Sequence, residues 1–200
     1  MSVTLVLTRF PTKSFKHGSQ SGRWGELVAI RGPRITAVQM FPDLSGCAAS
    51  ETGSGGTCIN FAGGTLNLIS DGTAVSEWKR FTSMERFKVD SGKGYYVQLH
   101  PKPNPYGLTK EVGNSAVKHL RKGHDGRCFR VHGGSPGAEQ GILIHEAPHV
   151  GWVIGCISPR PLGNFSTEFP NSSGNPSYRA MNELFDFVGG GHADLFVTDW

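Results

Sequence analysis

Charge is scarce in this chain: Lys, Arg, Asp and Glu together make up 18% of 200 residues. That scarcity argues against a charged helical bundle and against a solvated acidic or basic tail. No apolar run approaches the roughly 20 residues of a membrane-spanning helix, so no membrane partner is expected. The net charge of +4 suits an anionic partner. Its basic residues are nevertheless scattered, and the small cluster of Lys118, Arg121, Lys122, Arg127 and Arg130 has no interleaved aromatics to stack bases. Nucleic acid is therefore not an expected partner. The opening MSVTLVLTRF lacks a basic leader, a long apolar stretch and a small-residue cleavage site. The expectation is a protein made in the cytoplasm without a signal peptide. Metal-ligand pairs such as Cys-x-x-Cys or His-Glu-x-x-His are missing too. A zinc set drawn from His132, His145, His149 and Cys156 has no such pair at its centre, so neither metal nor cofactor is expected.

What is plentiful is glycine, at 28 residues, with 12 prolines. Short apolar runs, among them VTLVLTRF, GELVAI and GILIHEA, recur between these turn residues. The pattern predicts a mainly β domain, and the length suits one domain over 1–200. Residues 2–9 and 25–30 read as an opening hairpin with a long connection that starts at a Pro-Thr-Lys turn. Residues 94–100, 127–132, 141–146, 152–158 and 194–199 read as further strands, and Glu111–Lys122 as a short helix. Around DLSGCAASETGSGGTC no hydrophobic period survives, so roughly 43–90 reads as a long Gly-rich insertion. Cys47 and Cys58 flank that Gly/Ser-rich loop, and a disulfide between them would contribute about 2–3 kcal/mol. One C-terminal helix is predicted over 177–188, with Ser177 as its cap and Tyr178, Met181, Leu184, Phe185 and Val188 on one face.

The chemistry concentrates in GILIHEAPHVGWVIGCIS. A histidine, His145, ends an apolar strand and a cysteine, Cys156, follows after a turn, so two adjacent antiparallel strands would bring the side chains face to face. A thiol is mostly protonated at neutral pH and needs an imidazole within reach to become a nucleophile. Gly155 admits close backbone approach, and amides beside a nucleophile are common donors to a developing oxyanion. Strand alternation turns Glu146 to the opposite, solvent-facing side. On spacing alone, a His and a Cys in apolar strands are more often packing residues than a catalytic pair. Cys128, in its own strand, reads as a small buried hydrophobe.

The strand-end His145, the Gly155–Cys156 pair and Ile157 together resemble the L,D-transpeptidase catalytic domains. Closer still is the resemblance to a group of small bacterial and phage proteins that look like compact relatives of those enzymes (the DUF5675 type). The VTLVLTRF and GELVAI segments, ILIH at 142–145 and GCI at 155–157 carry it, and it spans the chain apart from the insertion. The resemblance implies an L,D-transpeptidase-like β-sandwich or sheet and a peptidoglycan-modifying cysteine enzyme acting on tetrapeptide stems. In that reading Cys156 is the nucleophile and His145 its base; His132 and His149 rank second as alternative bases and, with Trp152, Ser158 and Arg160, are the expected substrate contacts. Two positions depart from the larger family: Val153 and Ile154 stand where it has Ser or Thr and then His, and Ser158 stands where it has Arg. An antibacterial type VI secretion effector acting in the periplasm of a target cell, with an immunity protein and a secretion apparatus as partners, is the implied setting. A phage endolysin-like cysteine amidase or endopeptidase and a non-catalytic wall-binding module are the alternatives.

Overall fold

The structure, a computed structural model, describes residues 2–18, 20–41, 57–61, 64–72, 75, 77–86, 88–89, 96–97, 99–120, 123–133, 141–153, 155–170, 172 and 174–199. In chain order the strands are β1 (Ser2–His17), β2 (Gln20–Gly32), β3 (Ile35–Phe41), β4 (Thr57–Phe61), β5 (Gly64–Ser70), β6 (Glu77–Arg86), β7 (Lys88–Val89), β8 (Tyr96–Val97), β9 (Tyr106–Glu111), β10 (Cys128–His132), β11 (Leu143–His145), β12 (Ile157–Arg160) and β13 (His192–Asp199). Among the described residues the α-helices are α1 (Ser115–Lys118) and α2 (Pro176–Val188).

β1 and β2 form a long antiparallel hairpin. Gly18 sits at its tip with φ 61°, in the left-handed region that strains a residue with a Cβ. The Pro-Thr-Lys segment is not the turn that the sequence suggests. β1 continues through it, with the register shifting between Arg9 and Ser14, as proline at a strand irregularity allows.

Eight strands close a barrel in the order β1-β13-β9-β10-β11-β12-β6-β2. The chain is mainly β with one long helix near its C-terminus, as expected, and its principal sheet is closed. Closure comes from β1 running parallel to β13 and from β6 bridging β2 to β12. β6 belongs to the segment read as insertion, so 43–90 supplies part of the barrel wall. β3, β5 and β4 form a separate three-stranded sheet, and the strand expected at 94–100 is described only as β8, paired with β7.

Strand alternation divides the apolar residues into two cores. Leu5, Leu7, Leu27, Phe81, Leu108, Phe129, Ile144, Ile157, Leu195 and Val197 fill the barrel interior. Val6, Val28, Met84, Cys128, Leu143, Cys156 and Phe196 line its outer face, joined by Ile35, Ile59, Leu66 and Leu68 from the small sheet. α2 covers one end of the interior with Ala180, Met181, Leu184, Phe185 and Val188. Its Phe185 ring lies 5.5 Å from that of Phe129. The cap is Asn175, whose side-chain oxygen accepts from the Tyr178 N–H at 2.7 Å, with Pro176 in the first turn. Ser177, the expected cap, is instead buried and hydrogen-bonds into the barrel wall.

Inside the barrel, Arg9 forms a bidentate pair with Glu85, at 2.6 and 2.9 Å, and donates to the Leu99 carbonyl at 2.6 Å. Burial alone would lower the guanidinium pKa, but the Glu85 and Asp199 carboxylates outweigh it and hold it above its ordinary value.

Candidate active site

The pairing of Ile144 with Ile157 places the site. Both side chains belong to the barrel interior. Their neighbours, His145 just after Ile144 and Cys156 just before Ile157, therefore turn to the outer face of the wall. The two strands are adjacent as expected but run parallel, not antiparallel. After His145 the chain crosses over through a 3-10 turn at Val150–Trp152, and β12 starts only at Ile157, so the strand expected over 152–158 is shorter.

His145 and Cys156 line one cavity of about 470 Å³. The barrel wall contributes Leu143 beside them, α1 and the turn after it contribute Ala116, Val117, His119 and Leu120, and Gly141, Gly151 and Trp152 complete the lining. Its size falls in the range of small-molecule sites, about 300–1,000 Å³. α1 is shorter than the helix expected over 111–122, because β9 keeps the chain extended through Glu111. Asn114 caps α1, its side-chain oxygen accepting from the Ala116 N–H at 2.8 Å.

His145 is 2% exposed. Its Nδ1 lies 2.6 Å from the backbone carbonyl oxygen of Glu146. A carbonyl only accepts, so Nδ1 carries the proton and Nε2 keeps a lone pair for a proton acceptor's role. That carbonyl orients the ring. Burial pushes the imidazole down to about 4, with His124 adding to the effect and the Glu146 carbonyl opposing it. The ring is neutral at physiological pH.

Glu146 is not the surface residue that strand alternation suggests. It is 1% exposed, because β11 ends at His145 and the chain turns inward, and its Oε1 lies 3.4 Å from His124 Nε2. His124 Nδ1 accepts from the Gly126 N–H at 2.8 Å, which leaves the neutral ring's proton on Nε2, facing Glu146. The sequence offered no sign of His124, which stands alone in a Gly-rich turn.

Cys156 is 8% exposed, with Sγ 3.9 Å from the Gly141 carbonyl oxygen. Gly155 has φ 69°, a conformation that favours glycine. Its N–H donates to the Arg86 carbonyl at 2.9 Å, so it is committed to the sheet and does not face the cavity as an oxyanion donor. The role expected of that amide is therefore corrected to a conformational one.

Of the residues expected to contact substrate, Trp152 borders the cavity. Ser158 is fully buried, its Oγ 2.9 Å from Ser177 Oγ, and it ties the wall to α2. Arg160 is fully buried too, donating to the Ala147 carbonyl at 3.0 Å and lying 4.6 Å from the centre of the Phe169 ring. With Nε and Nη1 unpartnered, burial pushes its pKa down to about 9. It packs behind the 147 turn rather than lining the cavity. His132 is exposed at the end of β10, and His149 lies in the turn beside the cavity. Cys58 is disulfide-bonded; Cys47, its expected partner, lies outside the described residues.

Directly opposite His145 on β10 stands Cys128, which is fully buried, with Sγ 3.9 Å from Glu111 Oε2. Burial first, and the Glu111 carboxylate second, push this thiol up to about 12. No family model matches the chain, and neither a curated protein nor a solved structure matches it.

Proposed function

We propose that the chain is a cysteine-dependent acyl transferase or hydrolase of peptidoglycan stem peptides, of the L,D-transpeptidase and L,D-carboxypeptidase kind. The observation that carries the reading is that His145 and Cys156 share the outer face of adjacent strands and line one cavity, with the Nδ1 side of the imidazole held by the Glu146 carbonyl. The resemblance of the surrounding strands to those enzymes supplies the substrate class.

In this mechanism Cys156 Sγ attacks the carbonyl between the third and fourth stem residues while His145 Nε2 takes the thiol proton. The tetrahedral intermediate collapses to a thioester, and His145 returns the proton to the departing amine of D-alanine. The same nitrogen then takes a proton from the acceptor, water for carboxypeptidation or an amine for cross-linking, and gives it to the Cys156 thiolate expelled as the C–S bond breaks and the product leaves. Cys156→Ala, assayed on purified sacculi by mass spectrometry of the released fragments, should lose all product. Equal product from the variant sinks the mechanism. Wall chemistry of this kind would serve an antibacterial effector, so expression of the chain with an added export signal should arrest host growth; normal growth at good expression argues against that setting.

Two observations favour a second reading. The His145 ring is pushed down to about 4 and the Gly155 amide is spent on Arg86, both poor provisions for catalysis. A non-catalytic wall-binding module would keep this geometry. It predicts sacculus binding without product, and a Cys156 thiol that reacts no faster than a cysteine peptide.

A further inference from the structure

Beside the cavity, three segments bring ligand-type side chains together. His17 ends β1, His149 heads the 3-10 turn, and Glu168 faces His149 across an isolated antiparallel bridge. Backbone bonds fix that pairing: the Val150 N–H donates to the Thr167 carbonyl at 3.1 Å, and the Phe169 N–H donates to the Pro148 carbonyl at 2.6 Å. The Nε2 atoms of His17 and His149 lie 3.0 Å apart with their rings nearly perpendicular, at 86°. One ligand atom from each of the three residues falls within 4.8 Å of the other two.

We propose that His17, His149 and Glu168 bind a divalent transition-metal ion of the zinc class. Two imidazole nitrogens and a carboxylate oxygen suit zinc, whereas calcium and magnesium ask for oxygen ligands throughout. Zinc–nitrogen bonds of about 2.0–2.1 Å set two nitrogens of a tetrahedral site about 3.3 Å apart, so the rings need to part by only a few tenths of an ångström. Glu168 is exposed and both histidines are half-buried, which leaves the fourth position open to water.

The site is coupled to the cavity through one ring. His149 Nδ1 accepts from the Gly151 N–H at 2.9 Å, which puts the neutral ring's proton on Nε2, pointing at His17. A metal on Nε2 moves that proton to Nδ1, and the Gly151 bond is lost. Gly151 and Trp152 line the cavity, so ion binding reshapes its wall. None of this rests on the acyl-transfer reading.

The test uses the full chain, dialysed free of metal and titrated with Zn²⁺ by calorimetry and with Co²⁺ by absorption. A single saturable site with cobalt d–d bands and no sulfur-to-cobalt charge-transfer band is expected, accompanied by a shift of the Gly151 amide resonance. His17→Ala and Glu168→Gln, each checked for an unchanged thermal unfolding transition, should weaken binding by at least about tenfold. Cys156→Ala should leave it intact. Absence of saturable binding, or binding that survives both substitutions, overturns the proposal. So does a charge-transfer band that vanishes in Cys156→Ala, since that would move the ion to the cavity thiol.

Discussion

Two thiols share the outer face of the barrel wall with one imidazole, and their surroundings set them apart. Cys128 stands directly opposite His145 in the β10–β11 ladder, while Cys156 precedes β12 on the other side. Cys128 is sealed off and sits against the Glu111 carboxylate, which opposes a second negative charge beside it. Cys156 opens onto a cavity. Closeness to a histidine does not make a nucleophile; what matters is whether the environment tolerates the thiolate and lets a substrate reach it.

Alkylation is the largest test of this contrast. With its pKa near 12, Cys128 is thiolate at a fraction of about 10⁻⁴ at pH 8, so it should react with iodoacetamide about 10³-fold more slowly than a cysteine peptide. Cys156 should be modified first, as read by peptide mapping of the native protein. Comparable labelling of the two thiols would break the comparison.

The shared imidazole gives the next effect. His145 has its pKa lowered from 6.5 to about 4 in the folded chain. Between those values the unfolded chain binds a proton that the folded chain refuses, so stability falls as pH drops from about 6.5 toward 4. The accumulated loss is about 3 kcal/mol, and above pH 6.5 the group contributes no slope. Urea unfolding at several pH values should show this trend, and His145→Gln should flatten it. An unchanged slope in the variant would mean that another group carries the acid sensitivity. Smaller again is Cys128→Ala, which should cost about 1–2 kcal/mol through the small void it leaves, with sacculus activity retained. Loss of activity in a folded Cys128→Ala protein would give Cys128 a part in the chemistry.

How much of this was legible in the sequence follows from how local each feature is. Alternation in β1, β2, β10 and β13 and the helical face of α2 depend on near neighbours, and the sequence carries them. Barrel closure depends on pairing Thr4 with Asp194 and Ile157 with Glu85, contacts between distant segments that no local pattern encodes. The direction of β12 turned on the 3-10 turn at Val150–Trp152, where the apolar run through Trp152, Val153 and Ile154 resembles the start of a strand. Asn175 displaced Ser177 as the helix cap because Pro176 fits the first helical position, and the hydroxyl of Ser177 found the Ala147 N–H at 2.9 Å instead. At the site, His145, Cys156 and Trp152 were legible from one window. The wall from α1 and the burial of Glu146 against His124 were not, since both are made by segments brought in from elsewhere.

The finest test changes the carboxylate beside the sealed thiol. Glu111 holds Arg130 and accepts from Cys128, and its own pKa is held low chiefly by the hydrogen bond from Arg130. Burial is the larger cause of the raised Cys128 pKa and Glu111 the second, so Glu111→Gln removes only the smaller part. Labelling of Cys128 should rise several-fold but stay well below that of a cysteine peptide, while Cys156 labelling stays unchanged, because Glu111 does not line its cavity. A rise to the peptide rate would show that the carboxylate, not burial, sets the two thiols apart. No rise at all would assign the whole contrast to burial, and the difference between the thiols would then rest on access alone.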